Sequence, residues 1–99
     1  MGKTRPKKRI LIVEDQLIIA LDLELILKNL GYEVAGIVNT GEESVEFVKQ
    51  NRPDLVLMDI MLSGDIDGIA AAEVIHKTLD VPIIYLTAHS DEKSLERAH

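Results

Sequence analysis

The chain contains no cysteine, so neither a disulfide framework nor a cysteine-ligated metal site can form. No apolar run is long enough to span a bilayer, and the N-terminus is basic and polar without an apolar signal segment behind it. No membrane association and a cytoplasmic location are expected. There is no internal repeat and no low-complexity stretch. Basic residues are scarce beyond the start. Lys3, Arg5, Lys7, Lys8 and Arg9 are five of the eleven, and from Ile10 onward six basic residues face seventeen acidic ones, a net of −11. Such a body repels nucleic acid rather than binding it. The basic arm, residues 1–8, reads as a solvated leader, although a run of this kind can also touch phosphates or anionic lipid.

With 99 residues, 46% of them hydrophobic, the chain suffices for one folded domain. Its organising stretch is Asp54-Leu55-Val56-Leu57-Met58-Asp59. A continuous apolar run of this length, bounded by Pro53 and by Ser63-Gly64, predicts a strand buried on both faces, as in the middle of a parallel sheet. Asp59 then lies at the strand's carboxyl end, where open α/β sheets place their ligands. Taken alone, Asp59 reads equally as a residue that starts a turn. Ile10 to Val13, followed by Glu14-Asp15, repeats the pattern.

Residues 16–30 predict a helix. Leu17, Ile18, Leu21, Leu25 and Leu30 recur at helical spacing, and Gly31 supplies a stop. With Ile19, Leu23, Ile26 and Leu27 also apolar, this helix is expected to be covered on more than one side. Residues 33–38 predict a short strand. Thr40 and Glu43 fit a capping box for a helix to about Gln50, with Val45 and Val48 inward. Asp67 is the expected cap of a third helix with Ile69, Ala72, Val74, Ile75 and Leu79 as its apolar face. Val81 to Thr87 reads as a fourth strand with Pro82 near its start. Ser90 is the expected cap of a last helix from Asp91. Strands alternating with helices predict an α/β fold, a doubly wound parallel sheet with right-handed crossovers.

Three strand ends therefore carry polar groups: Glu14-Asp15, Asp59 and Thr87. Neighbouring strands lie about 4.8 Å apart, so Asp15 and Asp59 share a site if their strands are adjacent. Crowded carboxylates repel, and a hard divalent cation such as Mg²⁺, which takes oxygen ligands, compensates. The plainer reading is that Glu14 and Asp15 only favour a helix N-terminus, and that Thr87 is an ordinary β-branched strand residue. A carboxylate beside Mg²⁺ can act as nucleophile toward a phosphoryl group, with the Thr87 hydroxyl and the Ala88 backbone N–H donating to phosphate oxygens. The histidines (His76, His89 and His99) are dispersed without zinc-ligand spacing.

The residues Ile10 to Asp15, Asp54 to Leu62, Asp67-Gly68 and Pro82 to Ala88 together make the chain resemble the receiver domain of two-component response regulators, from about Lys8 to its end. The resemblance implies a flavodoxin-like receiver fold over residues 9–99 with strand order 2-1-3-4. It implies Asp59 as the phosphoacceptor, served by a histidine of a sensor kinase or phosphotransfer protein. It also implies Glu14, Asp15, Asp59 and the backbone carbonyl of Met61 as Mg²⁺ ligands, and Thr87 as the switch hydroxyl whose shift changes partner binding around the fourth strand and the helix after it.

Two departures from the family pattern carry expectations. Ser63 stands where proline is usual, and the loop to Gly68 has one extra residue, as in receivers attached to sensory or kinase modules. The fifth strand, with its lysine, and the fifth helix have no counterpart before His99, and Lys93 does not replace that lysine by position. A chain that lacks this fifth β-α unit would leave the fourth strand as an apolar edge, which invites pairing with a second copy. Tyr85, on that strand, reads as a core or packing residue. The expected function is a phosphoacceptor in a phosphorelay rather than an enzyme on an external substrate. The alternatives are an interaction module that carries no phosphate, a receiver module of a hybrid kinase, or an aspartyl phosphohydrolase, for which no second acid/base carboxylate is evident.

Overall fold

The computed structural model describes residues 6–62 and 64–86. Seven elements follow in the order β1 (Arg9–Val13), α1 (Leu17–Asn29), β2 (Glu33–Val38), α2 (Gly41–Asn51), β3 (Leu55–Asp59), α3 (Gly68–Thr78) and β4 (Ile83–Leu86). The strands form one parallel sheet in the order β2-β1-β3-β4. The chain leaves β1 toward β2 on one side, then crosses back over β1 to β3 on the other. Adjacent strands with connections diverging in opposite directions define a switch point, and here it lies between β1 and β3.

Alternation along the strands sorts the core into two layers. Leu11, Val13, Val56 and Met58 pack with Val48 of α2 and with Ala71 and Ile75 of α3. Ile10, Ile12 and Leu57 face the other way, onto Ala20 and Leu27 of α1. The sheet is thus covered on both faces, as the uninterrupted apolar runs of β1 and β3 require.

The helix ends follow their local signals. Gly31, at φ +94°, closes α1 in a Schellman arrangement. Its N–H donates to the Lys28 carbonyl at 3.1 Å and that of Tyr32 to the Leu27 carbonyl at 3.0 Å. The Glu43 N–H donates to Thr40 Oγ1 at 3.1 Å, while Glu43 Oε1 accepts from the Asn39 N–H at 3.3 Å, one residue earlier than in the reciprocal box. Asp67 caps α3 by accepting from the Ala70 N–H at 2.8 Å.

Four expectations need correction. First, Leu17, Ile18, Leu21, Leu25 and Leu30 face solvent, with Ile18 84% exposed, and Ala20 and Leu27 are buried instead. Asp22 and Lys28 share the exposed side with these residues, away from Ala20 and Leu27, and the small Ala20 allows the closer approach to the sheet. Second, Ile69 and Val74 of α3 are exposed, while Ala71 joins Ala72 and Ile75 on the buried side. Third, β4 begins at Ile83 rather than Val81. Proline has no N–H to donate, so no ladder starts at Pro82, although its carbonyl accepts from the Val56 N–H at 3.0 Å. Fourth, Tyr85 is 42% exposed and is not a core residue. The expected last helix and its Ser90 cap lie outside the described residues.

Candidate functional site

The switch point brings the acids together. In the β1–β3 ladder Val13 pairs with Met58, so Glu14 and Asp15, the next residues along β1, emerge beside Asp59 at the end of β3. One carboxylate oxygen from each of Glu14, Asp15 and Asp59 lies within 4.8 Å of the others. Glu14 and Asp59 are buried, at 2% and 0% exposure, and Asp15 is half-buried. A cleft of about 330 Å³ adjoins this cluster and is bounded by Glu14, Asp15 and Leu17 on one side and by Asn39 and Glu43 on the other.

Backbone groups hold two of the three carboxylates. The Met61 N–H donates to Asp59 Oδ1 at 3.0 Å, which folds the chain back over the strand end. The Gln16 N–H donates to Glu14 Oε2 at 3.0 Å. Glu14 therefore also serves the start of α1, as the plainer reading of the sequence had it, and the two roles coexist. Met61 itself is 58% exposed. Thr87 and Ala88 lie outside the described residues. The chain reaches them directly after Leu86, which pairs with Asp59.

The electrostatics are adverse for a bare cluster. Burial, partly offset by the Gln16 N–H and reinforced by the neighbouring Asp59 and Asp15 carboxyls, pushes Glu14 up to about 7 from an ordinary 4.5. Between those values the folded chain keeps a proton that the unfolded chain has lost. Metal-free stability is therefore expected to fall as pH rises from about 4.5 through about 7, by roughly 3 kcal/mol at most. Thermal melts in a chelator across that window should show the decline, and added Mg²⁺ should flatten it. A flat profile in chelator would contradict the assignment.

A cation fits this donor set. All three side chains offer hard oxygen, two of them are withdrawn from water, and their crowding leaves negative charge that an ion would neutralise. Among the described residues this is the group of acids that meets the geometry for holding a metal.

Two contributors were not evident from sequence. Gly68 packs so closely on the end of β3 that a Cβ there would overlap the Asp59 carbonyl oxygen, and its N–H donates to the Ile60 carbonyl at 3.0 Å. As a local pattern the Asp67-Gly68 pair signals a helix start and says nothing of this close approach. Glu42 accepts from the Asp65 N–H at 3.1 Å, a contact between residues 23 apart that no local pattern announces.

Comparison with known proteins places these features in a family. The family model of the response regulator receiver domain matches residues 10–99. The chain is 42% identical over 91 residues to the transcriptional regulatory protein PdtaR of Mycobacterium tuberculosis, covering 92% of this chain and 44% of that protein. It is 40% identical over 83 residues to the phyllosphere-induced regulator PhyR of Methylorubrum extorquens, covering 83% of this chain and 31% of PhyR. The chain thus spans less than half the length of these curated relatives. Among solved structures, it is similar to the signal receiver domain of a modulated diguanylate cyclase from Desulfovibrio desulfuricans, with a TM-score of 0.79 and 40% identity over 92% of this chain and 73% of that one.

Proposed function

This chain belongs to the response regulator receiver domain family, and from that premise we propose that it is a phosphoacceptor module with Asp59 as the phosphorylated residue. The observation that carries the reading is the meeting of Glu14, Asp15 and Asp59 oxygens within 4.8 Å at the β1–β3 edge. The donor is a phosphohistidine of a sensor kinase or phosphotransfer protein. An Asp59 carboxylate oxygen attacks phosphorus, a P–O bond forms as the donor's P–N bond breaks, and the imidazole leaves with the bonding electrons and is protonated. The product is an acyl phosphate on Asp59. The Met61 N–H fixes Oδ1 and so orients the carboxylate for attack.

Glu14, Asp15, Asp59 and the Met61 carbonyl are the proposed Mg²⁺ ligands; when bound, the ion supplies charge neutralisation for the transferred phosphoryl group. The Thr87 hydroxyl and Ala88 N–H are the proposed phosphate-binding switch, supported by the pairing of Leu86 with Asp59 just before them. The role is regulatory, with no external substrate. The proposed setting is cytoplasmic; among the described residues no helix is long and apolar enough to cross a membrane. The test is incubation with a small acyl-phosphate donor and Mg²⁺, read by intact mass. One added phosphoryl group supports the proposal, and no gain in mass defeats it.

A second partner is a further copy of the chain. Among the described residues β4 is a sheet edge, and its Ile84 and Tyr85 are 51% and 42% exposed, which favours strand pairing. Sedimentation over a wide concentration range should show a dimer; a monomer throughout would rule it out.

A further inference from the structure

We infer that Glu42 is a positioning residue for the Asp59 site, gripping the β3–α3 loop so that the Met61 peptide stays on the Asp59 carboxylate. The inference rests on the phosphoacceptor reading above. The loop between β3 and α3 is fixed at both ends. At its start the Met61 N–H holds Asp59 Oδ1 at 3.0 Å, and at its finish the Gly68 N–H returns to the Ile60 carbonyl at 3.0 Å.

The middle of the loop is held from α2. Glu42 Oε2 accepts from the Asp65 N–H at 3.1 Å. Gly64, at φ +106°, turns its bare α-carbon to the same carboxylate, where a Cβ would stand 3.1 Å from Glu42 Oε1. One residue earlier, buried Gly41 lies under Ile66 so closely that a Cβ would come 2.8 Å from Ile66 Cγ1. Two consecutive residues at the start of α2 thus seat three residues of the loop.

The plainer role for Glu42 is an acid in a helix first turn, favoured by the macrodipole. That role predicts helix stability and needs the negative charge. The loop bond needs only an acceptor oxygen, which glutamine keeps. Capping of α2 does not require Glu42, since Thr40 and Glu43 provide it. Substitution can therefore separate the two roles.

Amide hydrogen exchange at Met61 in the metal-free full chain reads the loop directly. In Glu42→Ala it is expected to accelerate about three- to tenfold, the range set by losing one net hydrogen bond. Glu42→Gln should stay near the wild type. Glu46→Ala, farther along the same helix and bonded among the described residues to Gln50, should leave Met61 unchanged. The Mg²⁺ concentration for half-maximal phosphoryl uptake should rise by a similar factor in Glu42→Ala, with the maximal rate retained. Unchanged Met61 exchange in Glu42→Ala, or a Gln variant as impaired as the Ala variant, overturns the inference. Absence of phosphoryl uptake in the wild type would defeat the phosphoacceptor reading alone, because the exchange comparison still decides the role of Glu42.

Discussion

Asp59→Asn takes up no phosphoryl group under conditions that label the wild-type chain, and in a chelator it unfolds at a higher temperature. The first outcome follows because an amide is not a nucleophile toward phosphorus. The second follows from the crowding at the β1–β3 edge. Asparagine keeps the Oδ1 that accepts from the Met61 N–H and has nearly the volume of aspartate, so packing is preserved. It removes one of the acids whose proximity raises Glu14. Burial is the larger cause and persists, so the gain near neutral pH is about 1 kcal/mol. Saturating Mg²⁺ should reverse the order. A ligand at about 100 times its dissociation constant stabilises the folded state by roughly 2.7 kcal/mol, and the variant, short of one proposed metal ligand, should receive less. Intact mass and paired thermal melts check both halves. A phosphorylated variant, or one that melts below the wild type in chelator, contradicts the site as drawn.

Gly68→Ala is the second large effect, and its sign depends on which of two terms wins. Helix propensity alone favours alanine by up to about 1 kcal/mol. Gly68 is not in the left-handed region, so conformation offers no objection. Space does, because the new methyl would overlap the Asp59 carbonyl oxygen and crowd the backbone of Ile60. Neither neighbour is a flexible side-chain end. Overpacking against backbone costs about 3 kcal/mol, so the net loss is at least about 2 kcal/mol and the fall in Tm about 10 °C for a domain of this size. The displaced strand end should also slow phosphoryl uptake. A melt equal to or above the wild type would show that α3 can shift without penalty.

The comparison of sequence with structure divides along physical lines. The strands β1 and β3 were legible because continuous β-branched and leucine runs have few other uses. The caps at Thr40 and Asp67 and the stop at Gly31 were legible because each satisfies backbone groups within four residues. The convergence of Glu14, Asp15 and Asp59 followed from placing their strands side by side, an order supplied by family likeness and not by spacing. The facing of α1 was legible only through its charges: Asp22 and Lys28 mark the solvent side and leave Ala20, Leu23 and Leu27 for the sheet, whereas the spacing of the leucines alone does not rank the sides. The difference between buried Glu14 and half-buried Asp15 was equally hidden, since adjacent acids look alike until the strand's end is placed. Glu42 and Gly68 act across the loop, where no periodic signal reaches.

The ladder between β1 and β3 pairs Ile10 to Val13 with Leu55 to Met58 without interruption. Because side chains alternate, a slip of one residue would turn Val56 and Met58 toward α1 and Leu57 toward the opposite layer, exchanging the two cores. An insertion inside β3 would therefore scramble both apolar layers at once, whereas one between Met61 and Asp67 would cost only the seating of Gly64, Asp65 and Ile66 on the start of α2.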